Sequence, residues 1–169
     1  MTNAAITQME TVQQALNQYE LEQGLPTIQS PSTADELNQY LNMNRNQLDK
    51  LPIEDCVIIA IRLKQFALYL QRLNNIEQSR LTWAAATANR YVAHNKLLSR
   101  LPSSTQYFKA DMKLETIAAS DNYLAKLLQI QTYAQQRCDR LTYLSACLKS
   151  LAATLIDLQR AKLTMQKES

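Results

Sequence analysis

The chain has 169 residues, 46% of them hydrophobic, and a formal net charge of +3. A single glycine and four prolines are too few for the turns of a sheet protein of this length, which leaves an all-α fold. The charge is divided unevenly: residues 1–57 hold two basic and eight acidic residues, a net of −6, and the remainder holds sixteen basic and seven acidic, a net of +9. An acidic arm joined to a basic body points to a polyanionic partner for the body.

In chain order, Ile6, Met9, Val12, Leu16 and Tyr19 form a weak amphipathic stripe that predicts a first helix. Gly24, Pro26 and Pro31 break it within the linker 23–33. Thr33 and Glu36 have the spacing of a capping box for a second short helix through Leu37, Tyr40, Leu41 and Leu48. Residues 1–50 therefore read as an acidic arm of two short helices, and 51–169 as a basic helical-hairpin domain.

Pro52, Glu54 and Asp55 suit the first turn of a long helix, and no breaker follows until Pro102. About 50 residues of helix would measure roughly 75 Å. Its predicted seam is Cys56, Ile59, Leu63, Phe66, Leu70, Leu73, Glu77, Leu81, Ala84, Ala88, Tyr91, Asn95 and Leu98. Two steps of four around Glu77 form a stutter, and Asn74-Asn75 offers an alternative turn there, although the continuous helix is the preferred reading. Leu101 to Thr105 is a short turn with Ser104 or Thr105 as cap, followed by a short helix through Phe108, Met112, Leu114 and Ile117.

Ser120-Asp121 then caps a second long helix, Leu127 to Met165. Its leucines at 141, 144, 148, 151, 155 and 158 alternate steps of three and four, and the ladder extends through Leu127, Ile130, Ala134 and Arg137 to Lys162 and Met165. The fold expected is an elongated antiparallel long-helix hairpin, coiled-coil-like, with a short N-terminal helical arm. Leu141, Leu144, Leu148, Leu151, Leu155 and Leu158 are its predicted oligomerisation face, because two helices cannot cover all of that apolar surface.

Chemistry is sparse. Cys56, Cys138 and Cys147 lack metal-ligand spacing and read as buried free thiols. His94 stands inside a helix without a partner motif, and one glycine cannot make a phosphate loop. The body's carboxylates are scattered singly, so no catalytic residue, metal or cofactor is expected. No apolar run is expected to approach the ~18 residues of a membrane span, and the start lacks a signal-peptide pattern, so a cytoplasmic protein is expected.

The basic residues Arg80, Arg90, His94, Lys96, Arg100, Lys109 and Lys113 flank the hairpin turn, interleaved with Trp83, Tyr91, Tyr107 and Phe108. Cations supply sequence-independent phosphate affinity, and aromatic faces stack unpaired bases. The competing reading places Trp83 and Tyr91 in the core.

Residues from about 53 to 160 resemble the UvsY family, the recombination mediator proteins of T-even phages and their relatives. The stretch Ala67-Leu68-Tyr69-Leu70-Gln71-Arg72-Leu73-Asn74 is similar to the family's Tyr-Ser-Lys-Trp-Leu-Asn region. Phe108-Lys109-Ala110-Asp111-Met112-Lys113 and Ala119-Ser120-Asp121 are similar to its Lys-x-x-Met-Lys and Ser-Ala-Asp elements, and a long terminal helix follows in both. The resemblance implies a ring-like homo-oligomer that binds single-stranded DNA without sequence preference. It also implies loading of a RecA-like recombinase onto strands coated by a single-strand binding protein, with DNA contacts in the region Arg90 to Arg100. The family's Lys-x-Arg spacing is not reproduced there, and the acidic arm exceeds the family pattern. The alternative reading is a phage virion or scaffold protein that assembles by coiled-coil packing without nucleic acid.

Overall fold

The computed structural model describes residues 4–31, 34–94 and 110–167. Six α-helices follow one another among them: α1 (Ala4–Glu22), α2 (Ala34–Leu41), α3 (Arg45–Lys50), α4 (Ile53–His94), α5 (Ala110–Ala118) and α6 (Asn122–Lys167). The fold is an all-α helical hairpin in which α4 and α6 pack against each other. α4 passes through Asn74-Asn75 without interruption, so the predicted continuous helix holds over its described length.

The chain divides into two compact units, each holding a length of α4 and of α6. Residues 1–26 and 75–138 make the first. Its core joins Ala84, Ala88 and Val92 of α4 to Leu124, Leu127 and Ile130 of α6, with Ile117 of α5 and Ala5 of α1. Glu77 meets Arg137 and Tyr91 meets Asp121, so the two helices run antiparallel. Residues 27–74 and 139–169 make the second unit. There Ile59, Ala60, Leu63, Phe66 and Ala67 of α4 pack on Leu148, Ala152 and Leu155 of α6, flanked by Leu37, Tyr40, Met43 and Leu48 from α2 and α3.

The ends of these helices follow local chemistry. α1 stops at Gly24, whose φ of 63° suits a residue without a Cβ, with Leu25 N–H reaching Glu20 O at 3.0 Å and Gly24 N–H reaching Leu21 O at 3.1 Å. The single predicted helix through Leu37 and Leu48 is two helices. Asn44 stops the pattern and opens α3, its Oδ1 accepting Gln47 N–H at 3.0 Å while Gln47 Oε1 accepts Asn44 N–H at 2.8 Å. The cap expected at Thr33 lies outside the described residues, as do Ser104 and Thr105. Asp121 caps α6 as expected, its Oδ1 accepting the N–H of Leu124 at 2.9 Å.

The leucine ladder of α6 is half correct as a seam. Leu127, Ile130, Ala134, Leu148 and Leu155 are buried, but Leu144 is 46% exposed and Ser145, the next residue, is buried in its place. Leu141, Leu151 and Leu158 are half-buried, and Ala152 is fully buried beside Leu151. Small residues win the inner rungs because the helices approach closely there: the Ser145 hydroxyl reaches the Ala67 carbonyl at 3.1 Å, and Ala60 and Ala67 of α4 share one core with Ala152. Leu144, Leu151 and Leu158 thus ride on the flank of the seam.

One 18-residue window of α6 has a mean hydropathy of 1.3, long and apolar enough for a membrane span, which corrects the expectation that no run approaches that measure. Of that window 22% is buried in the protein, so the greater part of its apolar surface is not taken up as core.

Candidate nucleic-acid interface

The predicted basic residues fall into three environments. Arg90 and His94, one helical turn apart near the end of α4, are exposed. Lys113 is half-buried on α5, which packs on the first unit's core through Leu114, Ile117 and Ala118. Lys96, Arg100 and Lys109 lie outside the described residues, together with Tyr107 and Phe108.

Arg80 is in a different position from the one expected for a phosphate contact. Its Nη1 pairs with Glu77 Oε1 at 2.6 Å, and Arg137 Nε of α6 approaches Glu77 Oε2 at 2.7 Å. Glu77 is 7% exposed, so the stutter in α4 turns a carboxylate inward where two guanidiniums compensate its charge. The Arg137 contact is close but poorly aligned for a hydrogen bond, and Arg80 Nε finds no hydrogen-bond partner among the described residues. Arg137, expected on the apolar ladder, is the cation that sequence reasoning left without a role; the inward Glu77 on the facing helix is the signal that explains it.

The aromatic residues of α4 follow the core reading. Tyr91 packs on the first unit's core, stacks at a tilt of 53° on Tyr123 with ring centroids 4.8 Å apart, and donates to Asp121 Oδ2 at 2.9 Å. Trp83 also lies against that core, but its outer side borders an open groove of about 440 Å³ that follows one face of α4 from Gln78 to Arg90. Ser79, Thr82, Ala86 and Thr87 complete its lining, and the groove ends at an exposed guanidinium.

Among the described residues, no three His, Cys, Asp or Glu side chains are placed to hold a metal ion. All three thiols are free; Cys56 and Cys138 are buried, and Cys147 is half-buried beside Tyr143, whose hydroxyl its hydrogen bond pushes above the usual phenol range. No protein-family model, curated protein or solved structure matches this chain.

Proposed function

We propose that this protein is a non-catalytic, homo-oligomeric binder of single-stranded DNA that acts as a recombination mediator, helping a RecA-like recombinase onto strands held by a single-strand binding protein. The observation that carries the reading is the charge division, +9 beyond residue 57 against −6 before it. The exposed Arg90 and His94 stand at the end of α4, next in sequence to Lys96 and Arg100. Phosphates bind along Arg90, Lys96 and Arg100 with His94 beside them, the groove beside Trp83 takes a base, and repeated subunits along one strand multiply the affinity. The acidic arm faces a protein partner or competes with the strand for the basic edge.

The test is the affinity of the full chain for labelled oligo-dT across a salt titration. Replacing Arg90, Lys96 and Arg100 with Ala is expected to weaken binding and to flatten the log–log salt slope by about 2, three contacts at ~0.7 each on a single strand. Absence of binding at low salt by a folded oligomer overturns the reading. That result would favour the structural alternative, a virion or scaffold component, to which the exposed Ile58, Ile61 and Leu68 already lend support.

A further inference from the structure

A second periodic stripe runs along α4 within the second unit: Glu54, Ile58, Ile61, Gln65, Leu68 and Arg72, at steps of four, three, four, three and four. At 3.6 residues per turn its mean direction lies ~180° from that of the buried Cys56, Ile59, Leu63, Phe66 and Ala67. Its apolar members are open to solvent: Ile58 is 54% exposed, Ile61 51% and Leu68 54%. Alternation of three and four is the pattern that a second helix covers, and among the described residues of this unit no helix does so.

The stripe is complementary to itself when reversed. Antiparallel pairing about a two-fold axis beside Leu63 sets Glu54 against the partner's Arg72, Ile58 against the partner's Leu68, and Ile61 against the partner's Gln65. Parallel pairing would instead set Glu54 against the partner's Glu54 and Arg72 against the partner's Arg72, two like-charge contacts that oppose association. Arg72 is held ready for this role, since its Nη1 donates to the Ile28 carbonyl at 2.7 Å. A guanidinium has four further N–H groups for a carboxylate, and one already fixed loses less entropy on pairing. Ile28, 37% exposed, continues the apolar surface on that side.

We propose that two copies of this chain associate through this face of α4, antiparallel and two-fold symmetric, with Glu54 of each copy paired to the partner's Arg72. The paired length is 18 residues, about 27 Å of helix. The contact is isologous and closes at two subunits, and it is distinct from the exposed Leu144 on α6. It does not depend on nucleic-acid binding.

Sedimentation equilibrium of the full chain from about 1 to 100 μM, the span over which a dimer of ordinary affinity dissociates, tests it. Ile61→Glu or Leu68→Glu is expected to raise the dissociation constant at least tenfold with helical content unchanged. Glu54→Arg alone is expected to weaken the dimer severalfold, and Glu54→Arg combined with Arg72→Glu to restore it. Glu54 is exposed and Arg72 half-buried, both outside the apolar part of the stripe, so the double exchange remains decisive if a glutamate at Ile61 or Leu68 lowers helicity; because Arg72→Glu also gives up the bond to the Ile28 carbonyl, recovery is read against both single exchanges. A monomer throughout the range, an oligomer indifferent to all of these substitutions, or a double exchange no better than the single one overturns the proposal.

Discussion

Tyr91 Oη donates to Asp121 Oδ2 at 2.9 Å, and the other oxygen of the same carboxylate accepts the N–H of Leu124 at 2.9 Å. One side chain therefore begins α6 and fastens it to α4. Asp121→Ala removes a cap and a side-chain acceptor together and is expected to cost about 1–3 kcal/mol, whereas Tyr91→Phe is expected to cost about 1 kcal/mol. Urea unfolding of both single variants and the double variant checks this; the double is expected to cost less than the two singles added, because each removes the same bond.

Glu77→Ala leaves the guanidiniums of Arg80 and Arg137 facing each other without their anion. Those side chains are 31% and 45% exposed, so water screens them and the expected loss is about 1–3 kcal/mol rather than the larger cost of a fully buried pair. Adding Arg137→Leu is expected to recover part of it. Thermal unfolding of the two variants decides, and no recovery would mean that the arginines are held by other contacts.

Lys162 occupies a rung of the α6 ladder yet ends in three carbonyls at the close of α3: Leu48 O at 2.9 Å, Asp49 O at 3.0 Å and Leu51 O at 2.6 Å. A cation at a helix C-terminus satisfies carbonyls that the helix cannot. Lys162→Met, of similar length, is expected to destabilise by about 1.5–3 kcal/mol and to speed amide exchange in α3 ahead of α4.

Tyr40 of α2 donates to Glu36 Oε1 at 2.7 Å, and this bond, with partial burial, raises its pKa above the ordinary 10.0. A phenol raised on folding contributes stability that is fully present below pH 10 and is lost as pH climbs through the folded-state value. Melting temperature followed from pH 8 to 11 is thus expected to fall more steeply for the wild-type chain than for Tyr40→Phe above pH 10.

Helix type and existence were legible because apolar spacing and the near absence of glycine agree along the chain. The phase of the α6 seam was not. Leu144 and Ser145 are neighbours, and hydropathy favours the leucine; the inner rung went to serine because close approach to Ala67 leaves no room for three more carbons. The repeated small residues Ala60, Ala67, Ala84 and Ala88 on α4 were the available sign of that closeness. For the candidate interface, the sequence marked Arg80, Arg90 and His94 among the basic residues flanking the hairpin turn, but it could not show that Arg80 is tied to Glu77, because that pairing depends on which way the stutter turns the carboxylate. The apolar and acidic residues of 1–50 read as an arm in sequence, whereas α1 lies with residues 75–138 and α2 and α3 lie with residues 139–169.

Lys162 is synthesised 114 residues after Leu48, and Tyr123, whose hydroxyl donates to Gln8 at 2.7 Å, 115 residues after it. At a ribosomal pace of roughly 5–20 residues per second, the early helices leave the tunnel about 6–23 s before their partners exist. During that interval Leu37, Tyr40 and Leu48 have α4 but no α6 to settle on, and the nascent chain carries this core half-built until the last helix emerges.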